Sequence, residues 1–115
     1  MPASPTGRAV SRLSAAASTN ATSVKATPGN LSSVVGTNTA AYAVFVKFYN
    51  KASAPTVGTD APLYTLAFPA GVTQVFQLNG ARFTTGLSFA ITKLAADTDT
   101  TVVVAGDLLL TYEWA

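Results

Sequence analysis

The chain has 115 residues, with seven Lys or Arg against five Asp or Glu and neither cysteine nor histidine. That composition excludes disulfides, thiolate or imidazole metal sites, and any nucleophile–base pair built on Cys or His. Charged residues make up 10% and hydrophobic residues 49% of the chain; a soluble domain usually carries about 25% charged residues, so much of this surface is expected to be covered by partners. Arg8, Arg12, Lys25, Lys47, Lys51, Arg82 and Lys93 are scattered rather than clustered, and no nucleic-acid partner is expected. No apolar run reaches the roughly 18 residues of a membrane span, and Met1–Arg8 lacks the apolar core of a signal peptide, so neither a membrane partner nor export by that route is expected.

Residues 1–30 are rich in Ala, Ser and Thr, contain no aromatic residue, and carry only Met1, Val10, Leu13 and Val24 as sizeable apolar groups. Such a stretch cannot build its own core. It is expected to extend as an N-terminal arm that reaches a neighbouring chain through Arg8, Val10 and Leu13.

From Leu31 the pattern becomes β. Leu31–Val35 reads as a first strand, closed by Gly36-Thr37-Asn38. Ala41–Asn50 reads as the strongest strand, with Tyr42, Val44, Val46 and Phe48 on one face and Ala43, Phe45, Lys47 and Tyr49 on the other, because side chains alternate across a strand. The first set is the expected core face. The second is unusually aromatic for a face meant for water, and Phe45 and Tyr49 are expected to be covered by the arm or by a neighbour, since large exposed apolar patches are rare on monomers. Residues 51–62 form a loop with two prolines and a glycine.

Leu63–Phe68, Val72–Asn79 and Leu87–Lys93 alternate in the same way, and Asn79-Gly80 signals a turn because both residues tolerate positive φ. Val102–Ala105 reads as a short apolar strand after a polar loop, and Leu108–Ala115 as the last, with Leu108, Leu110, Tyr112 and Trp114 on one face. About seven short strands without an amphipathic helix predict an all-β fold: an antiparallel β-sandwich, jelly-roll or Ig-like, over residues 31–115.

No catalytic residue and no cofactor is predicted. The carboxylates Asp97 and Asp99, spaced by two, with Asp107 further on, form a weak calcium candidate. Counted as an EF-hand loop from Asp97, the sixth position is Val102 instead of Gly and the twelfth is Leu108 instead of Glu. The competing expectation is a polar loop whose Asp and Thr side chains cap their own backbone. A carbohydrate-binding role would need an exposed aromatic platform, with Tyr49 or Tyr64 as candidates.

Ala17–Lys25 followed by Gly29-Asn30-Leu31, Val46–Asp60, Phe83–Thr92 and Ala96–Thr101 together resemble small structural proteins of tailed bacteriophages and prophages. The likeness covers residues 17–115 and contains no catalytic motif. It implies a virion component, and with the low charge and the arm it leads to the expectation of a head decoration or cement protein. Such a protein sits on the outer capsid surface, reaches it from the host cytoplasm during assembly, and has the major capsid protein and copies of itself, as homotrimers, for partners. A tail, neck or fibre module and a glycan-binding attachment domain are the alternatives.

Overall fold

The computed structural model describes residues 8–115. Its elements are β1 (Ala9–Ser14), β2 (Thr22–Lys25), β3 (Gly29–Asn38), β4 (Val44–Asn50), β5 (Tyr64–Phe68), β6 (Thr73–Phe83), β7 (Leu87–Thr92) and β8 (Leu108–Trp114). They form two antiparallel sheets of four strands, a front sheet in the order β1-β8-β3-β6 and a back sheet in the order β2-β7-β4-β5. The all-β, two-sheet expectation is met, and the described residues contain no helix. Every connection crosses from one sheet to the other except β4 to β5, which stays in the back sheet.

The expected arm is the main correction. Its first seven residues lie outside the described part of the chain, but residues 9–14 pair along β8 from Ala9↔Trp114 to Ser14↔Leu109, and residues 22–25 pair with β7. The segment therefore supplies one edge strand to each sheet, and the expected boundary at residue 30 falls inside β3. The physical reason is that an edge strand needs only one modest apolar row, because its neighbour supplies the hydrogen-bond ladder. Leu13 and Val24 pack against the core, Ala15 is buried, and the Ala15 N–H donates to the Leu108 carbonyl at 2.9 Å.

Three smaller expectations also shift. The first predicted strand does not end at Gly36 but runs on to Asn38. A Cβ at Gly36 would stand 2.4 Å from the Phe68 ring, so glycine is what lets that ring of the back sheet lie against β3. Asn79 and Gly80 take the positive φ expected of them, 53° and 78°, yet they make a bulge inside β6, where the register with β3 slips between Leu31 and Ser33. Val102–Ala105 is not a strand. It is an irregular segment in which only Val103 is buried and which enters a turn at Ala105, held by Asp107, which accepts the Val104 N–H at 2.8 Å and the Tyr42 hydroxyl.

The core lies between the sheets. The front sheet contributes Leu31, Val34, Phe83, Leu108, Leu110 and Tyr112, and the back sheet Val44, Val46, Phe48, Leu66, Phe68, Leu87, Phe89 and Ile91. Three aromatic pairs cross the gap: Phe89–Tyr112 at 5.2 Å, Phe68–Phe76 at 5.3 Å and Tyr64–Phe83 at 5.9 Å between ring centroids. Each adds about 0.5–1.5 kcal/mol beyond the area it buries. At one end the buried Asn38 amide ties the sheets together, donating to Tyr42 O and Phe68 O at 2.9 and 2.8 Å and accepting from the Ala40 N–H.

Because β1 belongs to the sheet, removing residues 1–14 is expected to lower the unfolding free energy by at least about 2 kcal/mol, the burial of one large apolar side chain. An arm outside the fold would leave it unchanged. Urea denaturation followed by circular dichroism checks this.

Candidate interaction surface

The two sheets treat their outer faces differently. On the back sheet, β4 turns Lys47 and Tyr49 outward and β7 turns out Ser88, Ala90 and Thr92, yet all five are 0–1% exposed. Their cover comes from the chain's own loops, residues 51–62 and 93–101. The Lys47 ammonium donates to Ala96 O at 2.6 Å, Ser23 Oγ donates to Ala52 O at 3.1 Å, and Pro55 is buried. The loops also meet each other, since a Cβ on Gly58 would stand 2.7 Å from the Thr100 methyl and 3.2 Å from Thr98 O.

Carboxylates strap both loops. Asp60 takes the Lys51 ammonium at 2.5 Å and the Thr56 N–H at 2.7 Å, and these two donors hold its carboxyl below the usual range. Asp99 accepts from Thr101 Oγ1 at 2.7 Å and from the N–H groups of Leu94 and Thr101. Partial burial works to raise its pKa, but these hydrogen bonds and the nearby Lys47 bring it below the ordinary value. Beneath the straps, desolvation pulls Lys47 down from its usual basicity, opposed by Asp99 and Asp97. Desolvation, with Asp60 and Asp97, pushes the Tyr49 phenol up. The Tyr49 hydroxyl is a buried polar group with no hydrogen-bond partner.

The front sheet is bare on its outer side. The registers place three rows across it: Ser14–Leu109–Thr37–Thr73, Arg12–Thr111–Val35–Val75, and Val10–Glu113–Ser33–Gln77. Hydroxyls and short aliphatic groups dominate, with Val10 67% and Val75 52% exposed. Charge sits toward the edges of the sheet: Arg8 pairs with Glu113 at 2.8 Å and Arg12 is exposed on the β1 side, and Arg82 is exposed at the far end of β6, where it donates to Asn30 Oδ1 at 3.3 Å. No pocket opens among the described residues, so what this surface offers a partner is the face of a sheet.

The residues expected at an interface therefore separate. Arg8 and Val10 lie at the exposed β1 edge of the front sheet, while Leu13 points into the core. Phe45 is half-buried and Tyr49 fully buried on the back sheet, covered by the loops instead of by an arm or a neighbour. The calcium candidate is not assembled: Asp97 is exposed, Asp99 caps its own loop, Asp107 binds Tyr42 and Val104, and no three carboxylates cluster among the described residues. Tyr64 packs on Phe83, and no aromatic side chain among the described residues is exposed, so no stacking platform for a sugar is presented. The open front face was not singled out from the sequence; its signal was the run of small outward residues Ser33, Val35 and Thr37 once β3 is carried through Gly36.

No family model, no curated protein and no solved structure matches the chain.

Two predictions concern the covered face. Asp60 and Asp99 have depressed folded-state values, so the stability they lend is present above the unfolded carboxylate value and is lost as pH falls through the folded one. Acidification below the ordinary carboxylate range is expected to free the two loops, seen as a shift of the Tyr49 ring resonances before the core aromatics change. Lys47→Met, which removes a desolvated charge and keeps the stem's volume, is expected to leave stability unchanged or raise it by about 1 kcal/mol. Lys47→Ala, which leaves a void, is expected to cost about 1–3 kcal/mol; urea midpoints separate the two.

Proposed function

We propose that the chain is a structural protein of a tailed-phage particle that binds the outer capsid surface as a decoration or cement subunit. The observation that carries the reading is the asymmetry of the sandwich. One outer face is closed by the chain's own loops, and the other is bare, lined mainly by Ser, Thr, Val and Gln with its few charges, Arg8, Arg12, Glu113 and Arg82, toward the edges. A rigid body with one such face suits side-on docking to a larger surface.

The strand order adds support through the fold. Pairing is nested, β1 with β8, β2 with β7, β3 with β6 and β4 with β5, as expected of a jelly roll, an architecture shared by viral capsid proteins. An immunoglobulin order would place the first strand beside the second in one sheet, and here those strands lie in different sheets.

Size fits weak, repeated contacts. Four strands about 4.8 Å apart with three outward residues each span roughly 400 Å², about half of what one partner contributes to a stable pairwise interface. Occupancy would come from many copies on one lattice, with the major capsid protein as the partner.

Purified chain mixed with undecorated capsids of the same genome is expected to co-sediment saturably, at hundreds of copies per particle. Ser33→Arg, on the inner strand β3 of the open face, should reduce occupancy at least tenfold, and Leu94→Arg, on the loop side, should not. Failure of the unaltered chain to bind overturns the reading, and hits on a glycan array in its place would favour an attachment domain.

A further inference from the structure

We propose that β6 is an assembly edge, and that two copies of the chain join there antiparallel across a two-fold axis at Val75. The pair would make one continuous eight-stranded front sheet.

The four sheet edges are not protected alike. Edge strands normally carry charge, proline, bulges or short length against unwanted pairing. β1 carries Arg12, with Arg8 just before it. β2 has four residues, ends on Lys25 and slips register. β5 has five residues, with Pro62 and Pro69 close on either side. β6 has eleven residues; its second half is bulged at Asn79-Gly80 and carries Arg82, but Thr73-Gln74-Val75-Phe76-Gln77-Leu78 has no charge, no proline and no bulge.

The backbone of that stretch is set for a partner. The Asn38 N–H donates to Val72 O at 3.0 Å, one step beyond the pair Thr37↔Thr73. Antiparallel ladders alternate hydrogen-bonded and non-bonded pairs, so Gln74 and Phe76 point their peptide groups at β3. Those of Thr73, Val75 and Gln77 point outward. The close Thr37–Thr73 hydroxyl contact of 2.8 Å suits a non-bonded pair, in which side chains approach more nearly.

A second copy turned by a two-fold axis at Val75 presents the same three residues. Val75 then faces Val75 of the other copy, and Thr73 faces Gln77 at both ends. Each of the six outward N–H groups meets a carbonyl. Opposite residues share a sheet face, so the two open front faces become one. No like charges meet, because the segment has none. A two-fold pair, and not the three-fold cluster expected from the sequence, is what this edge favours. The contact is one strand long, roughly 20 Å, below a standard stable interface, so the pair should form at high local concentration. The inference does not depend on the capsid reading, because it concerns the isolated chain.

The chain has no cysteine, so single introduced thiols report the geometry. A hydrogen-bonded antiparallel pair sets Cα atoms about 5.5 Å apart, inside the window a disulfide spans. Under mild oxidation of the full chain, Val75→Cys is expected to form covalent dimers at least tenfold faster than Val10→Cys, at the exposed edge of β1. Thr73→Cys mixed with Gln77→Cys should give the mixed dimer in preference to either homodimer. Sedimentation at millimolar concentration should show monomer and dimer for the unaltered chain and monomer alone for Val75→Lys, with unchanged thermal unfolding because Val75 is a surface residue. Equal rates for Val75→Cys and Val10→Cys, preferred Thr73→Cys homodimers, a trimer, or a monomer at every concentration would each overturn the proposal.

Discussion

Burial of β4 and β7 on both faces is the constraint from which the rest of the arrangement follows. Every residue of β7 is buried, and in β4 only Phe45 and Asn50 are partly reached by solvent. One side of these strands meets the front sheet. The other carries Lys47, Tyr49, Ser88, Ala90 and Thr92, and a layer of loop must lie over them. Small side chains on β7 let that layer come close, and the four polar side chains beneath it fare differently: Lys47 and the Ser88 and Thr92 hydroxyls each donate to a carbonyl, and the Tyr49 hydroxyl finds nothing. An unpaired buried hydroxyl costs about 1–3 kcal/mol, offset by the burial of its ring and by the carboxylate straps that hold the loops down.

Committing both long loops to the back sheet leaves the front sheet bare. The connections from β1 to β2, β2 to β3, β3 to β4 and β6 to β7 are short and run between the sheets at their ends, so none returns across the front. Apart from Leu109, Arg12 and Glu113, the front sheet's outer rows consequently hold residues that tolerate either water or a partner: Thr, Ser, Val and Gln. The proposed functional face is thus a by-product of where cover was needed, and its low charge is the same scarcity that marks the whole sequence.

How far the sequence disclosed this depended on how strongly each strand alternates. Strands with large apolar groups on one face, such as Leu66 with Phe68 and Leu108 with Leu110 and Tyr112, were legible at once. The aromatic outer face of β4 was legible as needing cover, but the covering loops were not, because Ala52, Pro55 and Ala96 carry no periodic signal. β1 and β2 were missed since Ala9, Ser11, Leu13 and Thr22 look like a solvated tail until β8 and β7 stand beside them. Asn79-Gly80 shows a different limit. The residues announced positive φ correctly, but that conformation serves a hairpin turn and a bulge alike, and only the pairing with β3 decides between them.

The bulge then acquires a second meaning. It divides β6 into a twisted, charged half that discourages pairing and a straight, uncharged half that invites it. The other three edges carry charge, proline or short length, and Thr73–Leu78 carries none of these. Blocking three edges and leaving the fourth open limits edge growth to a closed pair, because a two-fold contact uses up the single open edge on each copy. Such a pair doubles the front face without adding a new surface chemistry. On the capsid reading, that doubling raises the bare area from roughly 400 to roughly 800 Å² by strand spacing, where face-on docking begins to hold without help from the lattice.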